Sequence, residues 1–139
     1  MSKDKNYTIT VELKLTEEDL GDIICAAFEG GIGYWGCLDM SKPEWQGKPK
    51  NMPISQYITI LLVSNEEVTI FDTELEEDEL TEEGILILNL DKLLAGIKKY
   101  LEEDGLDCAY EGNIDTCNID ADAADNIIQY ALFGEIVFG

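Results

Sequence analysis

Eight of the twelve side chains in DTELEEDELTEE, residues 72–83, are carboxylates: Asp72, Glu74, Glu76, Glu77, Asp78, Glu79, Glu82 and Glu83. Charge at that density cannot be buried. The run is therefore confined to the surface, and its flanks decide what it connects. EVTIFDT (67–73) and ILILN (85–89) are short, apolar and β-branched, which suits strands of one sheet with the acidic run as their connection. QYITILLVS (56–64) has the same character and is separated from EVTIFDT by Asn65-Glu66, so these two segments are expected to form a hairpin.

Other segments declare themselves by period. YTITVELKL (7–15) alternates, with Ile9, Val11, Leu13 and Leu15 on one side, as in a half-buried strand. Thr16-Glu17-Glu18-Asp19 is a near match to a capping box. Leu20, Ile23, Ile24, Ala27 and Phe28 follow at helical spacing up to a stop at Gly30-Gly31. Leu90, Leu93, Leu94, Ile97 and Leu101 make a second helical stripe over residues 91–104, ended by Gly105. A third helix is expected from Asp120 as N-cap through Phe133, with Gly134 just past its end and EIVFG closing the chain as a strand. Residues 36–53 hold all three prolines and Trp45 with little periodicity, the pattern of a surface loop. The expected fold is one α+β domain over residues 1–139, an antiparallel sheet of four or five strands packed by about three helices.

Thirty Asp and Glu against nine lysines give a formal charge of −21, and neither Arg nor His occurs. Nine acids face six lysines in residues 1–50, but twenty-one face three in residues 51–139. A field of that sign repels nucleic acid and anionic membranes and attracts basic proteins in a salt-dependent way. At 45% hydrophobic content the chain can still build a core. No apolar stretch approaches a membrane span and no leader-like segment opens the chain, so a cytoplasmic protein is expected.

Without His or Arg, the Ser-His-Asp triad, the Cys-His pair and arginine-assisted phosphoryl transfer are excluded. Carboxylate pairs alone make a weak case for glycoside hydrolysis among thirty acids, and the expectation is that the protein is not an enzyme and carries no cofactor. Cys25, Cys37, Cys108 and Cys117 contain no C-x-x-C pair and have no His to complete a zinc set. They read as reduced thiols, mostly small core hydrophobes. NIDADAADN (118–126) begins like a calcium loop but has Ala123 at its sixth position and Gln129 at its twelfth. Asp120 then reads as a helix cap, with Asp122 and Asp125 near the positive end of that helix. EGGIGYW (29–35) fits neither phosphate-binding glycine motif. Its glycines permit close backbone approach, and Tyr34 and Trp35 read either as core or as an aromatic anchor for a protein partner.

Carboxylates alternating along an extended segment stand about 7 Å apart on one side, near the spacing of successive phosphates on a nucleic-acid strand. Residues 72–83, with Tyr34 and Trp35, are therefore the expected partner-binding set.

LTEEDLGDIICAAFEGGIGYWGCLD (15–39), LDKLLAGIKKYLEEDG (90–105) and NIDADAADNIIQYALFGEIVFG (118–139) resemble a family of small acidic proteins encoded by phages, prophages and plasmids of Gram-positive bacteria. That family is marked by an E-G-G-I-x-Y-W turn and a Q-Y-A-L-F-G-E-[IL]-V-F-G-like C-terminus, and is loosely associated with anti-CRISPR proteins. The matching positions are Glu29, Gly30, Gly31, Ile32, Tyr34 and Trp35, then Gln129, Tyr130, Phe133, Gly134 and Glu135. They carry no catalytic roles, and residues 72–83 lie outside them. The resemblance implies a counter-defence protein that acts in the cytoplasm of a bacterial host cell, binds a CRISPR effector, Cas9 first, and blocks target DNA access partly by mimicking DNA charge. The alternatives are a sponge for a nucleotide-derived immune signal and an acidic phage accessory protein bound to another basic host protein. Direct nucleic-acid or membrane binding is not expected, and homodimerisation stays open.

Overall fold

The computed structural model describes residues 6–10, 12–73, 84–103 and 119–139, with 109–110 and 113–114 as backbone. Four α-helices occur among them: α1 (Glu17–Ala26), α2 (Ile54–Val63), α3 (Leu90–Glu103) and α4 (Ala121–Phe133). Three strands, β1 (Gly36–Leu38), β2 (Val68–Asp72) and β3 (Ile85–Leu88), form an antiparallel sheet in the order β1-β2-β3. Gly36 lies opposite Asp72, and Val68 opposite Leu88. A two-residue pair, β4 (Ala109–Tyr110) and β5 (Asn113–Ile114), makes a separate ladder. The protein is thus α+β, with a three-stranded main sheet among the described residues where four or five strands were expected.

Local chemistry accounts for the helix boundaries. The capping box of α1 is complete: Asp19 N–H donates to the Thr16 hydroxyl at 3.1 Å, and Thr16 N–H donates to the Asp19 carboxylate at 2.9 Å. Asp120 caps α4 by accepting from Ala123 N–H at 2.8 Å, and Gly134 ends that helix at φ 75°. The stripe of α3 buries Leu93, Ile97 and Leu101, and this helix packs against α4. Gly96 allows the contact, since a Cβ there would stand 2.6 Å from the Ile127 carbonyl oxygen.

QYITILLVS is helical, contrary to the hairpin expected from its composition. Pro53 opens α2, and Asn65 stands at φ 63° past its end. Asn65 N–H donates to the Leu62 carbonyl and Glu66 N–H to the Leu61 carbonyl, at 3.1 and 2.9 Å. These are the paired bonds of a Schellman stop, so the Asn-Glu dipeptide closes a helix where a hairpin turn was expected. A helix apolar on most of its circumference is stable when it is buried. Tyr57, Ile58, Leu61 and Leu62 of α2 are buried accordingly.

Four further expectations are corrected. The described residues of 7–15 form no strand beyond an isolated bridge at Lys14, and Tyr7 and Ile9 are exposed while Leu13 and Leu15 reach the core. Within 36–53, β1 and a 3-10 turn at Pro43–Gly47 are ordered, and Trp45 is buried against Tyr57. Cys25 and Cys37 are exposed and do not serve as core hydrophobes; Cys108 and Cys117 lie outside the described residues. The closing EIVFG pairs with no strand among the described residues; an α4 side chain holds it instead.

Candidate functional site

Of the expected partner-binding set, Asp72 ends β2 and is half-buried opposite Gly36. Glu74, Glu76, Glu77, Asp78, Glu79, Glu82 and Glu83 lie outside the described residues. The antiparallel pairing of β2 with β3 makes their run the connection between two neighbouring strands, as expected. Tyr34 and Trp35 have separate fates. Tyr34 is 50% exposed, whereas Trp35 is 0% exposed and belongs to the core, so it offers no surface to a partner.

The turn after α1 and the C-terminal segment meet around one carboxylate. Asp125, 6% exposed on α4, accepts from Trp35 Nε1–H at 2.7 Å and from Gln129 Nε2–H at 2.9 Å on one oxygen. Its other oxygen accepts from the Tyr34 hydroxyl at 2.6 Å. A carboxylate held by three such donors is a satisfied buried charge. Gln129, one turn further along α4, accepts from the backbone N–H groups of Val137 and Phe138 at 2.8 and 2.7 Å. It also donates to the Phe138 carbonyl at 3.2 Å. The tail is thereby folded back, and Phe138 stacks on Trp35 with ring centroids 5.0 Å apart, beside Phe133.

The turn reaches this position because α1 continues as a π-helical turn, Ala27–Gly31, closed by an Ile32 N–H to Ala27 carbonyl bond of 2.9 Å. Gly31 lies against the first turn of α4, where a Cβ would stand 2.6 Å from the Ala121 carbonyl oxygen. Only glycine fits that approach. Gly30 beside it faces open space. Desolvation, the Asp125 hydrogen bond and the Asp125 charge together push the Tyr34 phenol up to about 12. Sequence reasoning did not join Asp125 to Gln129, although their i, i+4 spacing on one helix face was a signal.

A second feature lies between α1 and α2. An open groove of about 540 Å³ runs there and is lined by Glu17, Glu18, Asp22 and Glu29, with Thr59 and Ile60 among the other wall residues. A Cβ at Gly21 would stand 3.9 Å from the Thr59 side chain, so α2 faces α1 there at ordinary contact distance. Glu29 accepts from two neutral donors, Cys25 Sγ–H at 2.9 Å and Ser55 Oγ–H at 3.3 Å. The hydrogen bond to Glu29, with desolvation next, pushes the Cys25 thiol up from its ordinary value. The sequence reading missed this groove because it took α2 for a strand.

Asp125 is occupied by its donors, and the groove acids stand apart: among the described residues no cluster of three or more Asp, Glu or Cys side chains is placed to hold a metal ion. In the calcium-like segment, Asp120 caps α4, Asp122 sits in its first turn and Asp125 is buried in the node. Among the described residues no helix is long and apolar enough to cross a membrane. Comparisons with protein-family models, with curated proteins and with solved structures each found no match.

Proposed function

We propose that the protein acts by binding, without turnover, as a mobile-element counter-defence protein whose partner is a basic nucleic-acid-binding host protein. The observation that carries this reading is the charge of −21 on a chain without Arg or His. The lysines of α3 are already committed: Lys98 and Lys99 pair with Glu102 and Glu103, and Lys92 donates to the Ile87 carbonyl. Those exposed pairs contribute little stability, and they engage two of the nine lysines with acids of their own helix. A surface with so large an excess of carboxylates competes for a Lys- and Arg-lined channel by the same counterion release that draws nucleic acid into it.

The resemblance of residues 15–39 and 118–139 to small acidic mobile-element proteins narrows the partner to a CRISPR effector, with Cas9 the first candidate. In that setting the acidic surface blocks target DNA access at the duplex-binding or PAM-reading channel, with the carboxylates of residues 72–83 contributing.

The test is a titration of the purified protein into Cas9 carrying its guide RNA, with target-DNA binding read at two salt concentrations and cleavage read in parallel. Loss of DNA binding that added salt relieves is the expected result. Loss of cleavage with DNA still bound would keep the inhibitor and discard charge mimicry. No effect on either would overturn Cas9 as the partner.

A further inference from the structure

We infer that the α1–α2 groove docks a Lys- or Arg-bearing amphipathic segment of a partner protein. This deepens the binding function proposed above by naming a surface for it, and rests on that reading only for the identity of the partner. Of the other strong features, the Asp125 node is saturated by its own donors, and residues 74–83 lie outside the described structure.

Charge complementarity argues for the occupant. Four carboxylates line the groove and, among the described residues, no lysine does. Glu18 and Asp22 stand one turn apart on α1 and Glu29 lies on the turn that continues it, so the charges are spread along the groove and suit cations spaced along a chain better than one ion.

The groove is also apolar where an ion-only site would be polar. Ile60 and Pro53 line it from the α2 side, and Ile60 is 36% exposed on a helix whose other large side chains are mostly buried. Gly21, on α1, adds no side chain to the lining, and the Thr59 side chain of α2 faces it. An aliphatic side chain seated on Ile60 with cationic neighbours over Glu18 and Asp22 satisfies both parts of the lining.

The experiment uses the full chain and two labelled probes, an amphipathic Lys-Leu helical peptide and an oligolysine of equal charge, with affinity read by fluorescence anisotropy. The groove variant is Glu18→Lys with Asp22→Lys. The control is Glu66→Lys with Glu67→Lys, an exposed pair beyond α2 that changes net charge equally. The groove variant is expected to weaken the amphipathic peptide about tenfold or more and the control less than about threefold. Ile60→Ser tests the apolar wall without any change in charge, and is expected to weaken the amphipathic peptide while leaving oligolysine unaffected. Circular dichroism on each variant establishes that it is folded.

Equal loss in groove and control variants would overturn the inference in favour of bulk charge. So would absence of peptide binding by the wild-type chain, or indifference to Ile60→Ser. The Cas9 titration separates the two proposals: peptide binding through the groove with no effect on Cas9 leaves the groove standing and removes that partner. Displacement of DNA that survives the groove variant does the reverse.

Discussion

Asp125 and the groove carboxylates are chemically alike, yet the fold gives them opposite surroundings. Asp125 sits 6% exposed on α4 with Tyr34, Trp35 and Gln129 donating to it, and it joins the turn after α1 to the chain terminus. Glu17 and Glu18 line an open groove, with Asp22 one turn further along α1. A buried carboxylate must be satisfied within the protein because water cannot reach it. An exposed one stays open to water and need not be satisfied within the protein. In this chain a carboxylate's surroundings are therefore set by where packing places it, and substitutions should separate the node, where stability depends on the carboxylate, from the groove, where little does.

The widest separation is expected from Trp35→Ala, which removes a fully buried ring stacked on Phe138 and packed against Phe133, and should cost about 4 kcal/mol in denaturant unfolding. A loss below about 1 kcal/mol would mean that the node is not the anchor of the fold. Gln129→Ala should cost about 2 kcal/mol, because the Val137 and Phe138 N–H groups lose their acceptor. Faster amide exchange at those two residues would identify the tail as the part released.

Within the glycine pair the comparison becomes internal. Gly31→Ala forces a Cβ against the Ala121 carbonyl and should cost about 2 kcal/mol. Gly30→Ala meets nothing and should stay within about 0.5 kcal/mol of wild type. Equal effects in thermal melts would contradict the close approach of α4 to this turn.

The node should also show itself in alkali. The Tyr34 phenol is raised in the folded state from 10.0 to about 12, so folding favours its neutral form. That contribution is fully present below pH 10 and is lost as pH rises through about 12. Absorbance at the tyrosinate band should contain a late-titrating component that Tyr34→Phe removes and Asp125→Asn moves to lower pH. A small stability effect belongs to the groove, where Glu18→Lys with Asp22→Lys should alter unfolding by no more than about 1 kcal/mol, the reversal of Glu18 in the first turn of α1 included. A larger loss would mean that these acids also support the fold.

Much of this was legible in the chain and some was not, for reasons that particular residues make plain. The caps at Thr16 and Asp120 and the stop at Gly134 were readable because each acts within one helical turn. The stripe of α3 was readable because Leu93, Ile97 and Leu101 repeat on one face. QYITILLVS was misread because a short apolar run has no period to distinguish helix from strand. Asn65 carried the missing signal, since a left-handed residue serves a helix stop as well as a hairpin turn. YTITVELKL had the right alternation for a strand, but beyond the isolated bridge at Lys14 its described residues pair with no strand, and alternation alone supplies no backbone partner.

By itself the sequence determined the charge of −21, the absence of Arg and His, and the helix ends written in local caps. Charge is a sum over residues and a cap is made between near neighbours, so neither needs the fold to be known. Only the tertiary structure decided that Trp35 is core, that Asp125 receives it across 90 positions of chain, and that α1 and α2 enclose an acidic groove. Those relations arise from packing between distant segments, where burial fixes which polar groups must find each other and which are left facing water.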